Sequence, residues 1–220
     1  VVVVGPAVPD EHPLVRAARA RGVATTQEVE LFLATYPGRV VGVTGTNGKS
    51  STSTLLHRAL RHGGVDALLG GNIGHSLLAD EADWRPDQVA VLEVSSFQLD
   101  RLAQRRRFAG AVFPRSGKDH LDRHGTLAAY HAAKGRLAAA ATGFVVHADD
   151  DPVAAGYATG ATRRGVFTRG APGPDSAGVD RGWLTLRLGR GAPARVLHVD
   201  ALRLLGAFQL ENALAAALPA

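Results

Sequence analysis

Residues 40–60, VVGVTGTNGKSSTSTLLHRAL, decide the fold. The β-branched run Val40 to Val43 reads as a buried strand, Gly45 and Gly48 flank Asn47, and Lys49 and Ser50 lead into a helix expected over Ser51 to His62. Glycine lets the backbone wrap closely around an anion, and a helix N-terminus presents unpaired N–H groups and a partial positive charge. The stretch therefore reads as a phosphate-binding loop in which Lys49 reaches the outer phosphates and the Ser50 hydroxyl is available to Mg²⁺. It departs from the strict pattern G-x-x-x-x-G-K-[ST] at one place, where Val43 stands for the first glycine.

Upstream of this loop, Val1 to Val4 reads as a strand, LVRAARARG as a helix and EVELFLATY as a second amphipathic stretch. Together they form the tail of an α/β unit, punctuated at YPGR, and a domain boundary is expected between residues 38 and 39. Downstream come a Gly-rich loop GGNIG, a strand VAVLEV entering SSFQL, a further helix, a strand AGAVF, the segment DHLDRHG, a helical run through YHAAKGRLAAA and a strand GFVVHA. Strands alternating with helices predict an α/β fold with a mostly parallel sheet flanked by helices. Beyond about Thr162, the pieces GVF, WLTLRLG and ARVLHVDALRLLG between Gly/Pro turns predict an antiparallel, β-rich extension, with Arg169 to Gly182 as a loop.

Composition narrows the function classes. With 45% hydrophobic and 20% charged residues, the chain is that of an ordinary globular protein. Its net charge of +5 is spread along the sequence, and the longest basic run, Arg105 to Arg107, reads as a solvated helix end or turn, so no nucleic-acid partner is expected. The absence of cysteine suits a reducing cytosol, and no apolar run reaches membrane-spanning length. The chain opens on VVVVG without an initiator Met and stops in ENALAAALPA, which predicts an internal piece of a longer protein. Lysine occurs at only three positions, 49, 118 and 134, in a chain whose default cation is arginine, so a lysine here points to chemistry that guanidinium cannot do.

Three further features carry chemistry. Glu93 ends the strand VAVLEV, and a carboxylate at a strand's carboxyl end points at whatever the phosphate loop holds, where Mg²⁺ needs an oxygen ligand. The segment KDHLDRHG gathers Asp119, His120, Asp122 and His124 just past another strand, a pattern shared by metal sites and by ordinary capped turns. Lys134 follows on a helix, where solvation is the bland alternative.

TGTNGKSS, GGNIG, LEVSSFQL, DHLDRHG and Y-x-x-AK, in this order and near these spacings, resemble the ATP-dependent Mur ligases of peptidoglycan precursor synthesis. The resemblance covers nearly the whole chain, from GPAVP onward, and SSFQL with DHLDRH is most similar to the branch that adds D-glutamate to UDP-N-acetylmuramoyl-L-alanine. It implies residues 1–38 as the end of a Rossmann-like UDP-binding domain and 39–220 as a P-loop NTPase-like central ATP-binding domain, with the C-terminal ligase domain outside this chain. It also implies site roles. Lys49 and the backbone of Gly45, Thr46, Asn47, Gly48, Ser50 and Ser51 would cradle the β- and γ-phosphates, with Asn212 completing the ATP site. Ser50 and Glu93 would hold one Mg²⁺, and His120 with Lys134 a second. Lys134 matches the lysine that reacts with CO₂ to give a carbamate, a group arginine cannot form. Asn72, Ser95, Ser96 and Gln98 would contact the muramoyl-alanine end of the substrate, and Ala7, Val8 and Pro9 match part of the uracil-side loop. The implied cofactors are ATP, two Mg²⁺ and the carbamate; the implied setting is a cytoplasmic monomer acting on small molecules.

Two departures from the family pattern stand out. Pro114 replaces an Asn after the strand in FPRSGKDH, which is also one residue longer, and Phe208 and Gln209 replace His-Asn in GAFQLEN while Asn212 is kept. The alternatives are a diaminopimelate- or lysine-adding Mur ligase, a folylpolyglutamate synthase, or a nucleotide-binding module without turnover. SSFQL argues against the first two, and the survival of the loop, Glu93 and Lys134 against the last.

Overall fold

The computed structural model describes residues 1–103, 108–203 and 206–219, so the arginine run at 105–107 lies outside the described residues. The chain begins with a small parallel pair, β1 (Val2–Val3) and β2 (Thr25–Thr26), bridged by α1 (Pro13–Ala20). Proline in the first turn of α1 loses no hydrogen bond, because N–H groups there have no helical partner. Helix α2 (Glu28–Thr35) follows, and its Phe32 stacks on Tyr36 while both meet Trp84 edge-on. These aromatics pack α2 into the core of the large sheet described next.

That sheet is nine-stranded. In chain order come β3 (Arg39–Val43), α3 (Lys49–His62), β4 (Ala67–Gly71), β5 (Val89–Glu93), α4 (Ser96–Asp100) and β6 (Phe108–Phe113). After them run α5 (Leu121–His124), α6 (Leu127–Ala140), β7 (Ala141–Ala148), α7 (Pro152–Tyr157), β8 (Arg163–Phe167), β9 (Ser176–Asp180), β10 (Trp183–Arg187), β11 (Ala194–His198) and α8 (Ala207–Ala217). The spatial order is β11-β10-β9-β8-β7-β6-β3-β5-β4, parallel from β4 through β9 and antiparallel only at β9-β10-β11. Because side chains alternate along a strand, β3 and β5 feed two layers. Val41, Val43, Val89 and Val91 pack with Leu56 of α3 and Leu214 of α8, while Val40, Ala90 and Leu92 pack with Phe32 of α2, Leu99 of α4 and Leu137 of α6. Burial on both faces is why these strands are apolar throughout rather than alternating.

The fold class is as expected, with four local corrections. Helix α3 begins at Lys49 rather than Ser51. The first two residues of GGNIG close a strand, β4, that was read as loop. β8, expected to be antiparallel, lies parallel to β7 because α7 and a 3-10 turn at Ala158–Gly160 carry the chain back across the sheet. Within the stretch read as a loop, Ser176–Asp180 forms β9, where Ala177 is wholly buried. No described helix is long and apolar enough to cross a membrane.

Candidate active site

The loop after β3 opens where the connections diverge: the chain leaves β3 for β4 and β5 on one side and returns to β6 on the other. Backbone bonds lace it to the loop after β6, Thr44 N–H to Val112 O at 3.0 Å and Thr46 N–H to Arg115 O at 2.8 Å. Gly45 suits this lacing, since a Cβ there would sit 3.0 Å from Arg115 O and press on it. Gly48 takes φ +81° and caps α3 with no side-chain hydrogen bond, so the amides of the first turn keep their capacity for an anion. A Cβ on Gly48 would also strike Asn212 Oδ1, which brings α8 against the loop.

Both expected lysines converge here. Lys49 Nζ donates to Gly45 O at 3.0 Å and Thr46 O at 3.2 Å. Lys134 Nζ, from α6, donates to the same Gly45 O at 2.8 Å and lies 4.5 Å from the centre of the Tyr130 ring. Lys134 is only 2% exposed. Burial lowers its pKa to about 7, the positive charge of Lys49 pushes the same way, and Asp119 opposes them. The Tyr130 hydroxyl, its pKa raised by burial, lies 3.2 Å from the Thr46 hydroxyl.

Glu93 pairs in register with Val43, beside the start of the loop, and is 2% exposed. Its Oε1 accepts from Asn72 Nδ2 at 3.2 Å, while its Oε2 is buried without a partner. The Asn72 N–H in turn donates to Glu93 O at 2.8 Å, an approach that a Cβ on Gly71 would block. A buried carboxylate oxygen left without a partner is costly, and its chemistry suits a hard divalent cation. Among the described residues no group of three or more His, Asp or Glu side chains is placed to hold a metal ion.

A cleft of about 330 Å³ gathers Lys49, Asn72, Ser95, Ser96, His120, Tyr130 and Lys134, together with Pro6 and Ala7. His120 sits at φ +50°, with its N–H donating to Asp119 Oδ1 at 2.8 Å. His120 lines the same cleft as Lys134. Ser50 stands exposed in the first turn of α3. Ser95 and Gln98 form a reciprocal cap of α4, and Gln98, 6% exposed, is not among the residues lining the cleft. The Ser96 hydroxyl meets His124 Nε2 at 2.9 Å. The loop carrying Ala7, Val8 and Pro9 is held by two guanidinium groups: Arg123 donates to Pro6 O at 3.0 Å and Arg101 to Val8 O at 2.5 Å.

Sequence reasoning missed Arg115 and Glu211, which pair behind the phosphate loop. A signal was present: Glu211 is an acid on an otherwise apolar helix face, and a buried acid demands a cationic partner.

A profile of the Mur ligase middle domain matches residues 43–220. A curated UDP-N-acetylmuramoylalanine--D-glutamate ligase of Pelotomaculum thermopropionicum is 41% identical over 218 residues, covering 98% of this chain and 48% of that protein. The chain thus spans about half the length of the curated relatives it matches. Among solved structures, the UDP-N-acetylmuramate:L-alanyl-gamma-D-glutamyl-meso-diaminopimelate ligase of Neisseria meningitides superposes with TM-score 0.67 at 18% identity, covering 99% of this chain and 72% of that one. A MurF ligase of Thermotoga maritima in complex with ADP gives TM-score 0.60 at 20% identity, with 85% and 46% covered.

Proposed function

The chain belongs to the Mur ligase family, and on that premise we propose that it is the nucleotide-binding core of an ATP-dependent ligase that adds D-glutamate to UDP-N-acetylmuramoyl-L-alanine in peptidoglycan precursor synthesis. The observation that carries this reading is the convergence of Lys49 and buried Lys134 on Gly45 O in the cleft that also holds His120, with the unpartnered oxygen of Glu93 beside the loop. The D-glutamate specificity is supported by the names of relatives that match along 98% of the chain. Residues 1–38 are assigned to a UDP-binding domain and 39–220 to the central domain, and the protein is taken as a cytoplasmic monomer without a nucleic-acid or membrane partner.

A carboxylate does not acylate an amine at neutral pH. ATP therefore transfers its γ-phosphoryl group to the alanyl carboxylate, giving ADP and an acyl phosphate. The D-glutamate nitrogen attacks the carbonyl carbon, the bond to phosphate breaks, and the nitrogen gives up a proton. Little covalent work falls to side chains, so catalysis is alignment and charge neutralisation. Lys49 and the amides of residues 45–51, with Asn212 behind them, neutralise and position the triphosphate. Glu93 with Ser50, and His120 with a carbamate on Lys134, are the groups that would hold Mg²⁺. Mg²⁺ held there would supply charge neutralisation for the phosphates. The carbamate forms when the neutral amine of Lys134 adds to CO₂ with loss of one proton, and a lysine whose pKa has fallen to about 7 offers that amine at neutral pH. Asn72, Ser95 and Ser96, which line the cleft, would contact the muramoyl-alanine group, and Gln98, which accepts from the Ser95 N–H, would hold Ser95 in place.

The test is a ligation assay on the intact protein with UDP-N-acetylmuramoyl-L-alanine, Mg-ATP and D-glutamate, diaminopimelate or lysine in parallel, read by product mass. Amide formation with D-glutamate alone is expected. Product with diaminopimelate or lysine instead moves the chain to another branch, and nucleotide binding without any product makes it a binding module.

A further inference from the structure

Glu211 is a buried acid outside the cleft, 2% exposed on α8. Its carboxylate takes both arms of Arg115, Nε at 2.9 Å and Nη2 at 2.7 Å, and a third bond from Arg169 Nε at 2.6 Å. Arg115 also reaches Asp150 Oδ1 at 2.5 Å, so two guanidinium and two carboxylate groups balance in one cluster. The Arg115 hydrogen bonds and charge lower the Glu211 pKa from its ordinary value against the opposing effect of burial, so the cluster stays ionised at neutral pH.

The arms of Arg115 are engaged with carboxylates, yet its backbone is a wall of the phosphate loop. Arg115 O accepts the Thr46 N–H, and Arg115 forms a bridge with Asn47. On the other side of the loop, the residue next to Glu211 is Asn212, whose Oδ1 abuts Gly48 and accepts from the Thr52 hydroxyl at 3.4 Å. One ion cluster thus fixes both walls. We propose that Arg115 and Glu211 are positioning residues that set the shape of the phosphate loop for nucleotide through the Arg115 backbone and Asn212, without touching nucleotide themselves. A bidentate guanidinium–carboxylate pair suits this task because its planar fork fixes orientation as well as distance. The inference rests on the nucleotide-binding reading above.

The experiment uses the intact protein, with a fluorescent ATP analogue and Mg²⁺ for binding, steady-state kinetics for each substrate, and thermal unfolding. Arg115→Met should weaken nucleotide binding and raise the ATP KM by about 10-fold or more, with the UDP-substrate KM and kcat changed by less than about 3-fold. Leu184→Ala, in buried β10 away from the loop, serves as the stability control and should lower the melting temperature while leaving the ATP KM unchanged. If Arg115→Met fails to fold, Arg115→Lys, which keeps the charge and loses the fork, should raise the ATP KM by about 3-fold or more. A variant that melts earlier but keeps its ATP KM within about 2-fold of the parent overturns the inference and leaves a purely structural ion cluster. Lys49→Ala separates the two levels of argument. If it too keeps full nucleotide affinity, the nucleotide reading is what fails; if it loses affinity while the Arg115 variants do not, only the positioning role fails.

Discussion

The phosphate loop and helix α6 each send a lysine to Gly45 O, and the two lysines differ in what surrounds them. Lys49 stands in the first turn of α3, part-buried, with backbone carbonyls of its own loop as partners. Lys134 lies mid-helix, 2% exposed beneath the Tyr130 ring, and its pKa has fallen to about 7. Under the proposed function the same side chain would have two tasks: in the loop a cation for phosphate, and in the dry wall of α6 an amine available for covalent chemistry.

The largest effect should come from the loop side of this pair. Lys49→Ala is expected to cost about 10³-fold or more in turnover, because one cation beside a triphosphate in a partly dry site is worth several kcal/mol. Near-parental turnover would break the comparison at its first term. On the other side, Lys134→Ala should lose most activity and regain part of it when acetate fills the place of the carbamate. Full activity of Lys134→Arg would contradict the covalent role. Glu93→Gln, which keeps shape but not charge, should lower activity by about 10²-fold and raise its Mg²⁺ requirement, while melting at or above the parent temperature, since a buried carboxylate with an unpartnered oxygen is itself destabilising. A lower melting temperature would show that the charge serves the fold.

The smallest effect is on stability and has a definite sign. The folded-state pKa of Lys134 lies below its ordinary 10.5, so between about 7 and 10.5 the unfolded chain binds more protons and stability rises with pH. The cost of burying the charged form is present in full below about 7. Lys134→Met should therefore raise the melting temperature most at pH values below 7, and the gain should shrink as pH climbs toward 10.5. A gain independent of pH would assign it to packing alone.

How much of this was legible beforehand depends on whether the signal is local. VVGV and VAVL are apolar without interruption because both faces are covered, and that pattern led directly to β3, β5 and the parallel sheet. Lys49, Glu93, His120 and Lys134 sit in or beside recognisable motifs; Lys49, His120 and Lys134 line one cleft, and Glu93 is bonded to Asn72, which lines it too. β9 was not legible: SAGVD has few strand formers, and it pairs because Gly178 admits the close approach of Gly170 O while α8 covers Ala177. β8 was misread in direction because the crossover helix α7 is only six residues long, too short to show a helical period. The pairing of Arg115 with Glu211 joins residues 96 apart in sequence, which only the folded sheet brings together.

The division of labour between the two lysines is tested most directly by titrating Lys134 itself. With ¹³C-labelled lysine in the intact protein held free of CO₂, the Lys134 ε-carbon resonance, assigned by its loss in Lys134→Arg, should titrate with a midpoint of about 7. A midpoint near the ordinary 10.5 would mean that burial does not free the amine, and would contradict the account.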